Sequence, residues 1–544
     1  TWYHVIAVAI KADSNTSKTS SVLHIPPSPT KIYVLNTYNA GPNSLRQALL
    51  DVTYSDLYSK VIFSINSPEL RAGPYNIKID SLFDPVYSYQ GFEMDGITQK
   101  SFAPFLGDQR ILVNGQKIKN NFGLDITDSS DACLLKNMWI TNAKKGMRIS
   151  NDKNKIEKFY FVNTDSSGVA QLDTAFVIQS NENQIKNIGI SDYKLGVLFQ
   201  NKIGKNQFTA STIDSTVIGM ALKDSSYLNY VANNTFTNST QHSVLIDSAA
   251  ADNKLEKNIF GKQNKAIKGN AITIRNSSNQ TVETNRISYF DENITQLTAS
   301  SAIVIEGLSS NNFVYNNRIG LDSLGTSVHT ANFRGVTIQK TLVGSPSRNS
   351  IVGNEINGTK RAPIHISNSS QDLISENLIG GDSTRKIFGI DTSGIFVSNS
   401  VNEQINDNII LGYKDYGIEL LTSSGIQMHR NTIYSKTTLN KAINIHADDN
   451  ALASNGKLVT PIIINGILTD INTIKLTGTA LPNAMVEVYQ SVKDTVQAIN
   501  YIDKAFASSS STGDWELLVP KTFFSYATQN TFTAQNHFNN NSSE

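Results

Sequence analysis

The sequence is almost without cysteine. Its single thiol, Cys133, excludes an intrachain disulfide framework and a cysteine-rich metal site. This residue lies in the apolar segment DACLLKNMWI, which favours a small buried side chain. At 544 residues the chain is too long for one compact core, so several domains or one elongated repeat are expected.

Charged residues are also scarce, at 17% of the chain, and Asn, Ser and Thr take their place. The net charge of +1 gives no electrostatic attraction to nucleic acid or to a membrane surface. No apolar run is long enough to span a bilayer, so direct membrane insertion is not expected. The opening segment TWYHVIAVAI lacks the basic start and the cleavage site of a signal peptide. We therefore expect the chain to be a piece of a longer protein.

In place of these features the sequence has a repeat. GIFVSNSVNEQINDNII begins at Gly394 and GIELLTSSGIQMHRNTI begins at Gly417, which is 417−394 = 23 residues later. The asparagines of the closing N-x-I step, Asn408 and Asn431, are also 431−408 = 23 residues apart. A period in the twenties with two-residue alternation inside it is typical of a solenoid of short strands.

The aliphatic part of this repeat recurs from FVIQS at residue 176 to AINIH at residue 442. Its second and fourth residues are aliphatic and are expected to face inward, while the third and fifth face outward. Parallel coils stack about 4.8 Å apart, so equivalent residues of successive coils should touch. The pattern predicts an all-β chain with a right-handed parallel β-helix over residues 31–460.

An asparagine at a fixed corner of each coil is expected to accept a left-handed turn conformation. Its amide can also hydrogen-bond up and down the stack. Intervals above 23, such as 354−317 = 37, indicate loops let out from single coils. The asparagines assigned to this structural corner are Asn206, Asn234, Asn258, Asn285, Asn317, Asn354, Asn377, Asn408 and Asn431.

Both ends of the chain depart from the repeat. Residues 43–52 predict an amphipathic helix, with Asn43 or Ser44 as N-cap and Gln47 placed as in a capping box. We expect this helix to cap the first coil, the alternative being an ordinary surface helix. Residues 461–544 contain short alternating strands separated by turn residues, which predicts a small antiparallel β-sandwich that closes the other end.

Several segments resemble one bacterial family. NTYNAGPNSLRQALLDV, FEMDGITQKSFAP, and TGTALPNAMVEVYQ with STGDWELLVP are similar to segments of large surface and secreted proteins of the right-handed β-helix class, with an N-terminal SLRQAI-type cap and a C-terminal Ig-like module. Residues 1–27 resemble the incomplete end of a fibronectin type III domain. The resemblance implies export, secreted or at the cell surface, next to further domains of the same longer chain.

The fifth, outward residue of the repeat alternates in charge over four neighbouring coils. These residues are the catalytic candidates Lys223, Asp247, Arg275 and Glu306. One interpretation is a solvated ladder of mutual ion pairs, each contributing about 0 to 1 kcal/mol. The other is an acid–base cluster, because a polysaccharide lyase needs a base and a cation for the uronate carboxylate.

The third, outward residue of the repeat is apolar in many coils. This stripe indicates either β-propensity on a solvated face or contact with a loop, a neighbouring domain or a glycan. The ligand-binding candidates on this stripe are Val177, Leu198, Leu245, Val304 and Phe396.

The sequence contains no group of residues with the spacing of metal ligands, and no metal site or cofactor is predicted. His365 and His446 point outward without a second His or a Cys nearby in sequence, so both are expected to be surface histidines. Asp448 and Asp449 could bind calcium, but their segment lacks EF-hand spacing and is expected to be an ordinary acidic loop.

The predicted function is an extracellular structural or adhesion module of a large bacterial surface protein, which presents a rigid β-helix to glycans or partner proteins. The alternative is a polysaccharide-active enzyme, a lyase or hydrolase, with its site near Lys223 to Glu306. A tailspike-like trimer is a third interpretation, disfavoured by the flanking modules. The expected partners are a polysaccharide or cell-surface glycan and the adjoining domains, and not nucleic acid.

Overall fold

In the computed structural model the chain is all-β, with almost no helix, and forms a parallel β-solenoid of about 13 turns. This confirms the predicted fold class. It divides into two compact units, Thr1–Tyr230 and Val231–Glu544. No helix in the part of the chain that the structure describes is long and apolar enough to cross a membrane. The described residues are 3–5, 23–25, 31–55, 57–66, 74–81, 83–88, 90–100, 110–118, 121–127, 132–163, 172–248, 250–290, 300–322, 333–382, 384, 386–435, 441–446, 455, 460–491, 498–523, 531–538 and 541–542.

Each coil of the solenoid contributes one strand to a parallel sheet that we call the broad sheet. In the first unit its strands are Phe122–Ile126, Lys145–Ile149, Leu172–Ile178, Tyr193–Phe199 and Ile218–Leu222. In the second unit they are His242–Asp247, Asn270–Arg275, Ser300–Glu306, Phe333–Gln339, Ile364–Ser367, Ile395–Ser398, Ile418–Leu421 and Ile443–Ile445.

Shorter strands complete the coils. The first unit has Lys31–Val34, Ser59–Phe63, Tyr75–Lys78, Phe92–Asp95, Ile111–Asn114, Leu134–Thr141, Lys155–Val162, Gln184–Lys186, Gly189–Ser191, Gln207–Thr209 and Thr212–Asp214. From residue 230 onward come Tyr230–Ala232, Thr235–Thr237, Lys254–Glu256, Ile259–Phe260, Thr281–Glu283, Arg286–Ile287, Phe313–Tyr315, Arg318–Ile319, Ser350–Val352, Glu355–Ile356, Leu373–Ser375, Leu378–Ile379, Gln404–Asn406, Ile409–Leu411, Gln427–His429 and Thr432–Tyr434.

The repeat places its aliphatic residues in the core. Ile395 and Val397 pair in register with Ile418 and Leu420 of the next coil, and all four are fully buried. The glycine that opens the repeat has a steric role, because a Cβ on Gly394 would lie 2.4 Å from Cγ2 of Ile410 and 2.8 Å from the carbonyl oxygen of Gly417. Equivalent residues therefore stack coil upon coil, as the period of 23 predicts.

The N-terminal part of the first unit contains the one α-helix in the described residues, Leu45–Thr53, and a 3-10 turn, Gly96–Thr98. Ser44 is the N-cap, and its hydroxyl accepts the backbone N–H of Gln47 at 3.2 Å. The helix packs against the strand Lys31–Val34 through a buried apolar face. That it caps the solenoid stays a prediction. The strands Tyr3–Val5 and Leu23–Ile25 pair antiparallel, and the fibronectin type III assignment likewise stays a prediction.

The end of the second unit is a two-sheet sandwich. One antiparallel sheet contains Ile462–Asp470, Thr473–Thr479 and Asp514–Pro520, followed by a 3-10 turn, Lys521–Phe523. The other contains Asn500–Phe506, Met485–Ser491, Thr531–Phe538 and Asn541–Ser542. Val486, Val488, Trp515 and Val519 are buried between the sheets. The Ig-like type of this sandwich and the domain boundaries stay predictions.

The sandwich continues the hydrogen bonding of the last coil. The backbone N–H of Ile433 donates to the carbonyl of Ala498 at 2.5 Å, and the N–H of Ser542 donates to the carbonyl of Ile426 at 3.0 Å. The N–H of Ile426 donates in turn to Oδ1 of Asn455 at 2.9 Å. Backbone groups that an open coil would leave without partners are thereby satisfied.

A row of asparagines holds the coils of the second unit together. Oδ1 of Asn317 accepts both the backbone N–H and the side-chain Nδ2 of Asn285, each at 3.0 Å. Asn317 repeats both bonds to Oδ1 of Asn354, and its Nδ2 also donates to the carbonyl of Val282 at 2.9 Å. The residues of this row, which we call the main asparagine row, are Asn234, Asn258, Asn285, Asn317, Asn354, Asn377, Asn408 and Asn431.

Asn206 belongs to a different row. Its N–H donates to Oδ1 of Asn229 at 3.1 Å, and its own Oδ1 accepts the N–H of Asn183 at 3.0 Å, so it lies in a row of the first unit that starts at Asn154. A corresponding second row in the second unit contains Asn253, Gln280, Asn312, Asn349, Asp372 and Glu403. Each coil of this unit thus has two corners held by side-chain acceptors.

The left-handed turn residue is not the asparagine of the main row, contrary to expectation. None of the eight asparagines has a positive φ, whereas the residue directly before each of them does. That position holds residues as different as Thr284 (φ 52°), Glu376 (φ 58°) and Arg430 (φ 51°). A left-handed conformation is costly for such side chains, so the hydrogen bonds of the row must enforce it.

The main asparagine row yields a stability prediction. Asn317→Ala removes the acceptor of two buried donors of Asn285, so we expect it to lower the free energy of unfolding by at least about 2 kcal/mol. The measurement is urea unfolding followed by far-UV circular dichroism. The exposed Gln404 is the control, and Gln404→Ala is expected to change stability by less than about 0.5 kcal/mol. Equal stability of the two variants would contradict the role of the row.

Candidate functional site

The clearest polar cluster on the outer face is a row at the ends of four neighbouring broad-sheet strands, which we call the ion row. It contains Asp247, Arg275, Glu306 and Gln339, which are paired in register. Nε of Arg275 donates to Oε1 of Glu306 at 2.7 Å, and Nε2 of Gln339 donates to Oε2 of the same carboxylate at 2.9 Å. The η-nitrogen of Arg275 lies 3.9 Å from Oδ2 of Asp247.

The carboxylates of the ion row are largely buried, which reduces the screening of its ion pairs by solvent. The side chains of Glu306 and Asp247 are 11% and 16% exposed, whereas that of Arg275 is 36% exposed. Both oxygens of Glu306 are occupied by donors, so this carboxylate is held in one position. Three of the four charged residues singled out in the sequence thus come together in the second unit. Lys223, which follows the strand Ile218–Leu222, belongs to the first unit and is partly buried.

His242 adds a titratable group beside the ion row. Its Nδ1 hydrogen-bonds to Oγ1 of Thr273 at 2.9 Å. Burial lowers the pKa of His242 to about 4, and the positive charge of Arg275 contributes in the same direction. The imidazole is therefore neutral at pH 7. His242 is not among the residues predicted from the sequence, because it lies one residue before the repeat SVLID, which begins at residue 243. An alignment of the coils extended by one residue would include it.

The apolar stripe is mostly covered. Val177 in the first unit and Leu245 and Val304 in the second unit are only 3–4% exposed, so they present almost no surface to a ligand. Leu198, which pairs with Val177, is partly exposed. Phe396 is also partly exposed, and it belongs to a second cluster on the broad sheet of the second unit.

This second cluster, which we call the aromatic cluster, contains His365, Phe396, Glu419 and His446. The rings of His365 and Phe396 stack with centroids 5.4 Å apart and planes inclined by 12°. Oε1 of Glu419 lies 2.8 Å from Nε2 of His446, and its Oε2 accepts the hydroxyl of Ser393 at 2.5 Å. His446, which the sequence predicts to be a surface histidine, is thus paired with a carboxylate, and its side chain is 36% exposed.

His365 is more buried than an ordinary surface histidine. Burial lowers the pKa of His365 to about 4, with a further contribution from the charge of Arg334. The neutral ring forms a flat aromatic surface with Phe396. Asp448 and Asp449, the residues considered for calcium, lie outside the described residues.

Asp372 and Glu403 form a buried carboxyl pair in the second corner row. The N–H of Asp372 donates to Oε2 of Glu403 at 2.5 Å, and both side chains are fully buried. Burial, followed by the charge of Asp372, raises the pKa of Glu403; burial also raises the pKa of Asp372. Shifted carboxyl groups often mark a catalytic site. Here no surface reaches them, so the pair is structural.

The fold and these clusters define a parallel β-solenoid protein with a polar and aromatic outer face. Residues 162–323 match the family described as "Periplasmic copper-binding protein (NosD)", a stretch that covers less than half of the 544-residue chain. A comparison with curated proteins gives no match.

Solved structures that match the chain include bacteriophage tailspike proteins and a bacterial epimerase module. A mutant tailspike protein of E. coli bacteriophage HK620 has a TM-score of 0.50 and 12% identity, with 90% of this chain and 88% of that chain covered. The HK620 tailspike in complex with a pentasaccharide has a TM-score of 0.48 and 12% identity, with 90% and 88% covered. The Azotobacter vinelandii mannuronan C-5 epimerase AlgE6 A-module has a TM-score of 0.32 and 10% identity, with 77% and 100% covered. At 12% identity the likeness to the mutant tailspike protein shows the fold alone.

The buried carboxyl pair predicts a pH dependence. Because the pKa of Glu403 is raised on folding, the protonated form is favoured in the folded state. The contribution of Glu403 to the free energy of unfolding is therefore fully present below the ordinary carboxyl pKa of about 4.3. This contribution is lost as the pH rises through the raised pKa of Glu403 in the folded protein. We expect Glu403→Gln to increase the free energy of unfolding by about 1 kcal/mol or more at pH 8 and to flatten this decline.

The measurement is the thermal unfolding midpoint between pH 5 and pH 9. Gln280 occupies the same row, and its Oε1 accepts the N–H of Asn253 at 3.2 Å, so glutamine fits such a corner. Glu376→Gln, at an exposed glutamate of the coil that contains Asp372, is the control and should change nothing. A Glu403→Gln variant less stable than wild type at pH 8 would contradict the prediction.

Proposed function

We propose that the chain is an extracellular, non-enzymatic module of a larger bacterial surface protein, secreted or held at the cell surface. In this proposal the broad sheet of the second unit presents the ion row and the aromatic cluster to a polysaccharide or cell-surface glycan. The observation that carries the proposal is the occupation of both oxygens of Glu306, by Arg275 and Gln339.

A carboxylate held in this way is suited to positioning and not to proton transfer. A general base needs an oxygen within reach of the proton that it removes, and both oxygens of Glu306 already accept hydrogen bonds. Arg275 is fixed by the same contact through Nε, while its side chain remains 36% exposed. Its remaining N–H groups can then bind hydroxyl or carboxylate groups of a sugar in a planar arrangement.

The aromatic cluster supports the same function. Ligand sites combine aromatic surfaces with a few well-placed polar groups, and His365, Phe396 and Glu419 provide this combination. The strand of His365 pairs in register with Phe333–Gln339, the last strand of the ion row, and the strands of Phe396 and Glu419 follow it in turn. Each coil advances about 4.8 Å, so the two clusters together form an extended face suited to a chain-like ligand.

The second candidate function is a polysaccharide lyase or hydrolase at the ion row. The observation in its favour is His242, a neutral imidazole whose pKa is lowered by burial and by Arg275. In this alternative His242 takes the C5 proton of a uronate sugar and Arg275 neutralises the sugar carboxylate. The C4–O bond then breaks with formation of a C4–C5 double bond, and the departing oxygen takes up the proton from the imidazolium.

A glycan-binding screen of the purified chain tests the proposal. Arg275→Ala is expected to weaken binding of the preferred glycan by about 10-fold, because one charge-assisted contact is lost. The matched control is Arg318→Ala, which removes the cation of another Arg–Glu pair. Nε of Arg318 lies 2.9 Å from Oε2 of Glu355, and Arg318 belongs to the short strand Arg318–Ile319, outside the broad sheet. Equal weakening by both variants, or no binding by the wild type, would overturn the proposal.

The same glycans distinguish the enzyme alternative. We expect wild-type protein to leave the chain length of the bound polysaccharide unchanged, as measured by size-exclusion chromatography. Depolymerisation that is abolished in His242→Gln but retained in Arg318→Ala would replace the binding function with the enzymatic one. Arg318→Ala is again the control because Arg318 pairs with Glu355 outside both clusters.

A further inference from the structure

We propose that His429, Glu487 and His537 bind a divalent first-row transition-metal ion of the zinc class, which links the last coils of the solenoid to the C-terminal sandwich. One potential ligand atom from each residue lies within 4.8 Å of the others. The three residues come from the strands Gln427–His429, Met485–Ser491 and Thr531–Phe538. They lie outside residues 162–323, so the proposal does not depend on the family match of that stretch.

The sandwich strands aim two of these side chains at the third. Met485 pairs with His537 and Glu487 pairs with Gln535, so the side chains of Glu487 and His537 share one face of this sheet. Val486, Val488 and Ala534 alternate with them and fill the core of the sandwich on the opposite face. Glu487 and His537 therefore point away from that core, towards His429 of the solenoid.

The distance of 3.2 Å between Nδ1 of His429 and Oε1 of Glu487 suits two ligands of a tetrahedral ion. Nε2 of His537 lies 3.5 Å from Oε2, the other oxygen of the same carboxylate. Two ligand atoms, each about 2.1 Å from a tetrahedral ion, are separated by about 3.4 Å. Two imidazole nitrogens and one carboxylate oxygen are also a donor set that zinc-class ions prefer. The two imidazole rings lie close together, with centroids 4.2 Å apart.

Nε2 of His537 faces the carboxylate of Glu487 and makes no hydrogen bond within the described residues. Its side chain is only 8% exposed, and Nε2 is a buried atom without a hydrogen-bond partner in the structure. The opposite nitrogen, Nδ1, is 2.7 Å from Oγ of Ser542. A metal-bound histidine usually donates its second N–H to such an oxygen, which orients the ring. In the tautomer in which Nδ1–H donates to Ser542, the lone pair of Nε2 is left for an ion.

The carboxylate is supported in a similar way. Oε2 of Glu487 accepts the hydroxyl of Tyr489 at 2.5 Å and the backbone N–H of Arg430 at 3.0 Å. These contacts hold the carboxylate while Oε1 faces His429. The side chain of Glu487 is 2% exposed and that of His429 is 21% exposed, so an ion can enter from the side of His429.

Zinc titration of the full chain tests this site. Chelator-treated protein is titrated with Zn²⁺ at pH 7 in competition with a colorimetric indicator, and one equivalent is expected to bind. His429→Gln, Glu487→Gln and His537→Gln each remove one ligand and should weaken this binding by more than the roughly 10- to 100-fold typical of residues that only support a ligand. His446→Gln is the matched control, because His446 has one carboxylate partner, Glu419, and should leave the affinity unchanged.

Thermal unfolding gives a second measurement. Binding to the folded state alone raises the unfolding midpoint of wild-type protein in Zn²⁺, and this rise should disappear in His537→Gln. Circular dichroism establishes that each variant is folded; if His537→Gln is not, the more exposed His429→Gln decides. Zinc affinity and stabilisation equal to those of wild type in the folded ligand variants, or no stoichiometric binding by the wild type, would overturn the proposal.

Discussion

The solenoid depends on a side-chain amide that satisfies four hydrogen-bonding positions at once. In the main asparagine row of the second unit, each interior Oδ1 accepts two donors from one neighbouring coil, and each Nδ2 donates to its neighbours. Such buried amides would be very costly without partners. Their complete satisfaction makes the row cooperative, because removing one member leaves donors and acceptors on both sides.

The rows also determine what the outer face can do. Because the corners fix the register, the outward residues of successive broad-sheet strands stand in line, and Asp247, Arg275, Glu306 and Gln339 become neighbours although about thirty residues separate each from the next. Rigid neighbours of opposite charge pair with each other. The result is a surface whose polar groups are already oriented before a ligand arrives, which lowers the entropic cost of binding.

Features that depend on the local sequence pattern could be predicted, whereas features that depend on contacts between distant residues could not. The period of the repeat and its inward aliphatic residues are local properties, and they were enough to predict an all-β parallel solenoid. The left-handed position was assigned one residue too late, because Thr284, Glu376 and Arg430 carry no local preference for that conformation. Asn206 was grouped with the wrong row, since two corners carry the same residue type.

Sequence alone could not reveal the contacts between the solenoid and the sandwich. His429, Glu487 and His537 are brought together only by the pairing of two sandwich strands and the closure of the last coil. The spacing of 58 residues between His429 and Glu487 resembles no metal-binding motif. Within the ion row, by contrast, the coil alignment places Asp247, Arg275 and Glu306 on neighbouring coils, and a selection by charge leaves out the neutral Gln339 beside them.

The junction at Ile426, where the main-chain groups of the coil meet Asn455 and Ser542, has a consequence for assembly. A stack of identical coils has no internal reason to stop, since its last layer offers the same donors and acceptors as every layer before it. Another molecule could dock on such a layer and extend the stack, in the manner of a growing fibril. In this chain the main-chain groups of Ile426 are already bonded to Asn455 and Ser542, so these groups are not available to a second molecule that docks on this layer.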